Sequence, residues 1–108
     1  MNYDRFIACI NFIVYGNDTW RIQITKNSHG DPSITYDAHG QTVREAKRTI
    51  ENIINITRTP LHLEVIHGYN RGSAFKDMLA LEQFPGRLAD RFCPEGNPGV
   101  TVMDFVAA

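Results

Sequence analysis

The sequence predicts an α/β fold with a βαβαββ core, a mixed sheet and an N-terminal β-hairpin extension. Short runs rich in isoleucine, valine and phenylalanine recur along the chain and are separated by polar turns, as β-strands are. Two stretches between these runs instead show apolar residues at helical spacing. The length of 108 residues, with 43% hydrophobic and 21% charged side chains, suits one globular domain with its own core.

The first third of the chain is predicted to form the β-hairpin. Phe6–Tyr15 is a strongly apolar run, residues 16–18 have turn chemistry, and Trp20–Thr25 alternates with a period of two. This alternation separates two sets of side chains, Trp20, Ile22 and Ile24 on one face and Arg21 and Gln23 on the other. The polar stretch 27–33 marks the predicted boundary between an extension (1–33) and a second unit (34–108).

The next strand and helix have clear sequence signals. Ile34–Ala38 reads as a strand, and Thr42 with Glu45 forms a capping box that starts a helix. The helix should end near Thr57, because Pro60 disfavours helical geometry in the residue before it. Its predicted buried face carries Val43, Ala46, Ile50, Ile53 and Ile54.

The remaining elements follow in the order strand, helix, strand, strand. Leu61–Ile66 is predicted as a strand, and a short helix runs from Ala74 to Gln83, where the following Pro-Gly ends it. Leu88–Cys93 and Val100–Val106 are the last two predicted strands. The first strand–helix–strand connection should be a right-handed crossover that leaves its two strands parallel.

Composition limits the classes of partner and compartment. The net charge of −1 demands neither nucleic acid nor a membrane, although residues 36–76 carry six basic and four acidic side chains. No run approaches the ~20 apolar residues of a membrane helix, and no secretion leader is evident, so we expect a cytoplasmic protein. Cys9 and Cys93 show no metal-binding spacing and are predicted to be free, buried thiols.

Two strands in this prediction end in His-Gly and lead into a helix, at His39-Gly40 and at His67-Gly68. If the strands are parallel, both histidines lie at the carboxyl edge of one sheet, where α/β proteins bind ligands. The glycines of the second turn would let its backbone amides converge on an anion such as phosphate. The alternative is that glycine is there only because the turn is tight.

Strand alternation also places Asp37 on the same side as His39. The carboxylate could orient the imidazole or hold a metal, or it could cap a neighbouring turn. Histidine suits proton transfer near neutral pH, although a lone histidine in a sheet is more often structural. His62 should point to the opposite face from His67, so these two cannot chelate one metal.

The phosphate contacts predicted around the second turn are Gly68, Tyr69, Asn70, Arg71, Gly72, Ser73 and Lys76, with Arg44 on the first helix. Arg71 and Lys76 flank the glycine-rich loop, and Tyr69 could stack on a base or cover the core. The basic residues of the first helix could equally form a solvated face.

Three segments resemble the small MutS-related (Smr) domain family. Residues 37–46, DAHGQTVREA, resemble its LDLHG-x-T-x-x-E-A opening. Residues 64–72, EVIHGYNRG, resemble its HGxGxG motif in the HGYN-x-G form of short bacterial members, and residues 97–102, NPGVTV, resemble their NPG-V-T ending. The resemblance covers about residues 34–106.

The resemblance implies an α/β fold of the α+β sandwich type, and a nucleic-acid-binding domain with nicking endonuclease activity on DNA or RNA. By position, Asp37 and His39 match the first motif, and His67, Gly68 and Gly72 match the second. Catalysis would then use His39 or His67 as general acid or base, with Asp37 orienting a histidine or a divalent ion. The need for Mg²⁺ stays open, as does the choice between DNA and RNA.

Two other functions are compatible with the same residues. One is a non-catalytic module that binds RNA, the ribosome or DNA through the same loops. The other is a binder of small phosphorylated molecules. The N-terminal hairpin could extend the sheet or form a homodimer contact, and no membrane partner is expected.

Overall fold

The structure, a computed structural model, describes residues 18–68, 74–82, 84, 86–97 and 99–108. In this part of the chain a mixed five-stranded sheet carries two α-helices, which confirms the predicted fold class. The elements in chain order are a 3₁₀ turn Thr19–Arg21, β1 Ile22–Lys26, β2 Pro32–Asp37, α1 Val43–Ile56, β3 Leu61–Ile66, α2 Ala74–Leu81, β4 Leu88–Phe92 and β5 Val100–Phe105.

The strands lie in the order β1-β2-β3-β5-β4. The β2–β3 pair is parallel, as predicted for the crossover through α1, and the other pairs are antiparallel. β1 pairs with β2 across the turn at residues 27–31 and so extends the sheet. The predicted division after residue 33 falls within β2. The predicted strand Phe6–Tyr15 and the start of its turn lie outside the described residues.

One face of the sheet is buried beneath the two helices. Along β2 and β3 buried residues alternate with half-buried ones, so every second side chain enters the core. α1 contributes the apolar side that the sequence predicts, although Val43 is only partly buried. The centre of the core is formed by fully buried side chains, Ile34, Tyr36, Ile50, Ile53, Leu63, Val65, Leu79 and Met103.

α1 begins with the predicted capping box. The Thr42 hydroxyl accepts from the Glu45 amide at 3.1 Å, and the Glu45 carboxylate accepts from the Thr42 amide at 2.8 Å. The helix ends at Ile56 with Thr57 as its C-cap, close to the predicted end. Arg87, which lies just before β4, donates to the carbonyls of Ile54 and Thr57 at this end of the helix.

Two sequence predictions need correction. Trp20 and Arg21 belong to the 3₁₀ turn rather than to a strand, and Arg21 is buried, whereas Trp20 is 56% exposed. The physical reason is that the Arg21 guanidinium reaches backbone carbonyls at the end of β2. Cys93 is a free thiol as predicted, but it is exposed, because it follows β4, the edge strand of the described sheet, in which most side chains are themselves exposed.

Candidate functional site

The chain leaves β2 through a tight turn that presents His39 to solvent. The Gln41 amide donates to the Ala38 carbonyl at 3.1 Å, and Gly40 has a φ of 83°, a conformation that glycine adopts without strain. The Gln41 side chain is buried and accepts a hydrogen bond from the Tyr36 hydroxyl. Burial raises the pKa of Tyr36 to about 12, so the phenol stays protonated and its hydrogen bond to Gln41 stabilises the turn.

Asp37 and His39 form a hydrogen-bonded pair at this turn. His39 Nδ1 lies 2.6 Å from Asp37 Oδ1, and the same carboxylate oxygen accepts from the His39 amide at 3.1 Å. Because an ionised carboxylate only accepts hydrogen bonds, Nδ1 carries the proton, and Nε2 of the neutral ring is an acceptor. The His39 side chain is 64% exposed, so this acceptor is available to an incoming molecule. The predicted pairing of Asp37 with His39 therefore has the geometry of a carboxylate-oriented base.

Arg21, in the 3₁₀ turn before β1, stabilises the turn that carries His39. Its Nη1 donates to the carbonyls of Asp37 at 3.1 Å and His39 at 2.6 Å, and its Nε donates to the Asp18 carboxylate at 3.3 Å. A buried guanidinium needs such partners, since a desolvated and unpaired charge is costly. Arg21 is therefore a positioning residue for His39.

Trp20 lies beside this turn with its ring largely exposed. The Arg21 guanidinium carbon is 4.4 Å from the Trp20 ring centroid, and the His39 and Trp20 ring centroids are 5.7 Å apart. Sequence reasoning assigned no function to Trp20 or Arg21, because it placed both within a regular strand. The one available signal was the pair itself, the only tryptophan of the chain followed by an arginine.

His67 occupies a different environment from His39. It is 6% exposed, and its ring stacks on Phe75 of α2 with centroids 5.6 Å apart. Its Nδ1 lies 3.0 Å from the Gly68 carbonyl, which fixes the proton on Nδ1, and its Nε2 lies 3.0 Å from the Thr101 hydroxyl. Burial lowers the pKa of His67, and although the hydrogen bond to Gly68 opposes this and the charge of Lys76 adds to it, the net shift is downward and favours the neutral ring.

The two histidines thus end adjacent parallel strands but face different sides of the sheet. In the β2–β3 register Asp37 pairs with Ile66, so the side chains of these two residues lie on the same face of the sheet. The next residue, His67, therefore lies on the opposite, helix-facing side, where its ring contacts Phe75. His39 shares the side of its partner Asp37. Among the described residues, no contact links the two rings in support of the expectation that both act on one bound molecule. His39 is the ring with access to solvent.

The second His-Gly turn is described only at its start. The amides of His67 and Gly68 both donate to the Gly99 carbonyl, and Gly68 has a φ of 72°. These two amides are therefore directed at the chain itself. Tyr69, Asn70, Arg71, Gly72 and Ser73 lie outside the described residues, so the anion-binding loop stays a prediction. Lys76 follows on the exposed side of α2.

The start of α1 offers less to an anion than the sequence suggests. The capping box engages the amides of Thr42 and Glu45, and it brings a carboxylate to the positive end of the helix. Arg44 is exposed in this first turn and, with Arg48, borders a surface pocket of about 340 Å³ that also touches Thr42 and Glu45. Arg44 is thus available to a ligand as a side-chain cation.

A second aspartate–histidine pair lies at the other end of β3. His62 Nδ1 is 2.6 Å from Asp104 Oδ1 on the neighbouring strand β5, and both side chains are 42% exposed. His62 is thus partly exposed and lies on the opposite face from His67, as predicted. The pair reproduces the Asp37–His39 contact without the turn, the arginine or the tryptophan, which makes it a natural internal control.

Within residues 18–68 and the described parts beyond, no group of three or more His, Cys, Asp and Glu side chains could hold a metal ion. Asp37 remains the carboxylate that the sequence put forward for a divalent ion, and here it is hydrogen-bonded to His39.

Comparisons with protein-family models, curated proteins and solved structures found no match to this chain. The likeness of the three motifs to the Smr family therefore stays a prediction from the sequence. Among the described residues, no helix has the length and apolar character needed to cross a bilayer.

Proposed function

We propose that this protein binds nucleic acid and cleaves phosphodiester bonds with His39 as its proton-transfer residue. The observation that carries the proposal is the Asp37–His39 contact of 2.6 Å on a ring that is 64% exposed. An oriented, accessible imidazole is what general acid–base catalysis requires. The motif resemblance of residues 37–46 and 64–72 is what directs the proposal to nucleic acid rather than to another ester.

The chemistry follows from the tautomer that Asp37 selects. His39 Nε2 accepts the proton of the attacking hydroxyl, which is the 2′-hydroxyl of RNA or a water molecule. A new O–P bond forms as the P–O bond to the leaving oxygen breaks, and the proton is returned to that leaving oxygen. Asp37 orients the imidazole and stabilises its charged form, as a carboxylate does behind a histidine in a triad. Asp37 is thus a positioning residue.

Cationic side chains near the end of the sheet would hold the phosphate. Arg44 and Lys76 are exposed on the first turns of α1 and α2. Each can donate to non-bridging phosphate oxygens. The loop from Tyr69 to Ser73, with Arg71, stays part of the proposed contact surface on sequence grounds.

A non-catalytic binding module is the second candidate, and one observation favours it. The Glu45 carboxylate accepts from the Thr42 amide and places a negative charge at the start of α1, which disfavours a developing oxyanion there. Binding through surface cations and an aromatic ring does not require oxyanion stabilisation. The same experiment decides between the two candidates.

The experiment incubates the purified protein with supercoiled plasmid and with structured RNA, each with and without Mg²⁺, and measures binding alongside cleavage. We expect His39→Ala to lower the cleavage rate about 10²–10⁴-fold while binding is retained. Asp37→Asn should also lower the rate, because it no longer selects the productive tautomer. His62→Ala, which disrupts the second pair, should cleave like the wild type.

Two results would count against the enzyme. Cleavage by His39→Ala at the wild-type rate would remove His39 from the mechanism. Binding without any cleavage by the wild type, on either polymer and in either metal condition, would establish the binding module instead.

A further inference from the structure

The exposed face of Trp20 is the feature that the proposed chemistry leaves unexplained. Trp20 is 56% exposed, although large aromatic side chains are on average well buried. It is the only tryptophan of the chain, and its ring centroid lies 5.7 Å from that of His39 with the two planes inclined at 56°. A bound molecule that reaches His39 would therefore meet the indole as well.

The structure holds this ring in place. The Arg21 guanidinium lies against it at 4.4 Å, a cation–π contact. That guanidinium is itself fixed by the carbonyls of Asp37 and His39. Since Arg21 occupies one face of the indole, the exposed area lies on the rest of the ring. The indole is thus a pre-positioned flat surface, tied through Arg21 to the turn that carries His39.

We propose that Trp20 stacks on an unpaired base of the bound nucleic acid, so that the substrate is single-stranded or locally unpaired. This inference rests on the function proposed above and specifies its substrate class. Bases within a duplex are already stacked on their neighbours, and only an unstacked base can offer its face to an aromatic side chain. The base and backbone of one nucleotide would lie on Trp20 and at His39, respectively.

The charge of the protein is consistent with this mode of binding. The net charge of −1 gives little general attraction to the dense charge of a duplex. Stacking on an aromatic ring contributes to affinity without additional cations and tolerates different bases, because every base has a π-face. The stacking contact therefore compensates for the modest number of phosphate contacts.

The sole tryptophan makes the test direct. The intrinsic fluorescence of the full chain is followed during titration with a short single-stranded oligonucleotide and with the corresponding duplex, while the anisotropy of a labelled oligonucleotide reports affinity independently. We expect saturable quenching by the single strand and little quenching by the duplex. Trp20→Ala should weaken single-strand binding about tenfold, and Trp20→Phe, which keeps a ring, should weaken it less.

Val106→Ala is the control. Val106 is an apolar residue of similar exposure, 52%, and it follows the end of β5 that pairs with the start of β3, away from the His39 turn. Its removal should leave single-strand affinity unchanged. Circular dichroism of each variant checks that the fold is retained, and quenching of the wild type tests the proposal even if Trp20→Ala does not fold.

Failure of this inference can be distinguished from failure of the proposed function. Single-strand binding by anisotropy with no change in Trp20 fluorescence would overturn the stacking contact while leaving the function standing. Equal losses of single-strand and duplex affinity in Trp20→Ala would overturn it too, because Trp20 would then be a general contact. No binding to any nucleic acid would contradict both, and would suit an exposed Trp20 that contacts a protein partner.

Discussion

His39 and His67 occupy matching positions in two His-Gly turns, yet their rings have opposite properties. His39 is exposed and uses Nδ1 for Asp37, whereas both ring nitrogens of His67 have partners within the fold. Thr101, which bonds His67, also lies 3.7 Å from the Cys93 sulfur. The difference arises because one ring stays on the side of the carboxylate and the other enters the helix layer. We infer that His67 contributes to stability and His39 to the proposed chemistry.

His67 should make the protein less stable in mild acid. Burial lowers the pKa of His67 in the folded state below its usual value of 6.5, so the unfolded chain binds the proton more readily. The contribution of neutral His67 to the free energy of unfolding is fully present above pH 6.5. It decreases as the pH falls below that value, by at most about 1.4 kcal/mol per pH unit. Urea unfolding of the wild type and of His67→Gln at neutral and mildly acidic pH measures this contribution.

The comparison has a matched control in His29→Gln. His29 is an exposed histidine in the turn between β1 and β2, so its removal should leave the wild-type pH dependence intact. The free energy of unfolding should depend less steeply on pH in His67→Gln than in the wild type. An identical dependence in His67→Gln, or an NMR titration that places the His67 pKa at or above 6.5, would show that the buried ring does not carry this effect.

At the level of elements, arginines from the β4 region close the carboxyl ends of both helices. Arg87 donates to Ile54 and Thr57 at the end of α1, and also to Thr59 and Val106. Arg91 donates to the Leu79 and Glu82 carbonyls at the end of α2. Neither helix has a basic residue in its own last turn, so these side chains complement the negative end of each helix dipole.

Arg87→Met should therefore destabilise the protein by about 2–3 kcal/mol, since hydrogen bonds to charged groups contribute more than neutral ones and four carbonyls lose their donor. Equilibrium unfolding in urea measures the loss. The control is Arg58→Met, an exposed arginine close to the same helix end, which should change stability by less than about 0.5 kcal/mol. Equal effects of the two substitutions would mean that Arg87 acts only through general charge.

The elements that sequence reasoning predicted best are those with local signals. The capping box of Thr42 and Glu45 marks the start of α1, and β3 has the predicted bounds of Leu61–Ile66. Trp20 and Arg21 were misplaced because their alternation continues smoothly into β1. What bends the chain there is a set of hydrogen bonds from Arg21 to carbonyls 16 and 18 residues away, and no local pattern reveals them.

The candidate site was likewise only partly predictable. The spacing of Asp37 and His39 on alternating strand positions predicted their shared side, and the structure shows the contact. The opposite sides of His67 and His39 follow from the register, in which Asp37 pairs with Ile66, whereas the cover that Phe75 of α2 gives to the His67 ring depends on packing. Trp20 entered the site only through tertiary structure. Residues close in sequence were predictable, and those brought together by packing were not.

At the scale of the whole molecule, several basic side chains make hydrogen bonds or ion pairs within the fold. Arg21, Arg87 and Arg91 donate to backbone carbonyls, and Lys47 pairs with Glu82 at 2.9 Å. With a net charge of −1, affinity for nucleic acid would depend on a small number of placed groups rather than on a broad basic surface. The turn with Trp20 and His39 is where the described residues combine an aromatic surface with an accessible base.

The location of this proposed surface can be mapped by NMR titration of isotope-labelled protein with a short single-stranded oligonucleotide. The predicted result is that the largest chemical-shift changes occur at the Trp20 indole N–H and at the amides of His39 and Gly40. Smaller changes should extend to Arg44. Changes centred on His62 and Asp104 at the other end of β3, or no changes at saturating oligonucleotide, would contradict a nucleic-acid site at the His39 turn.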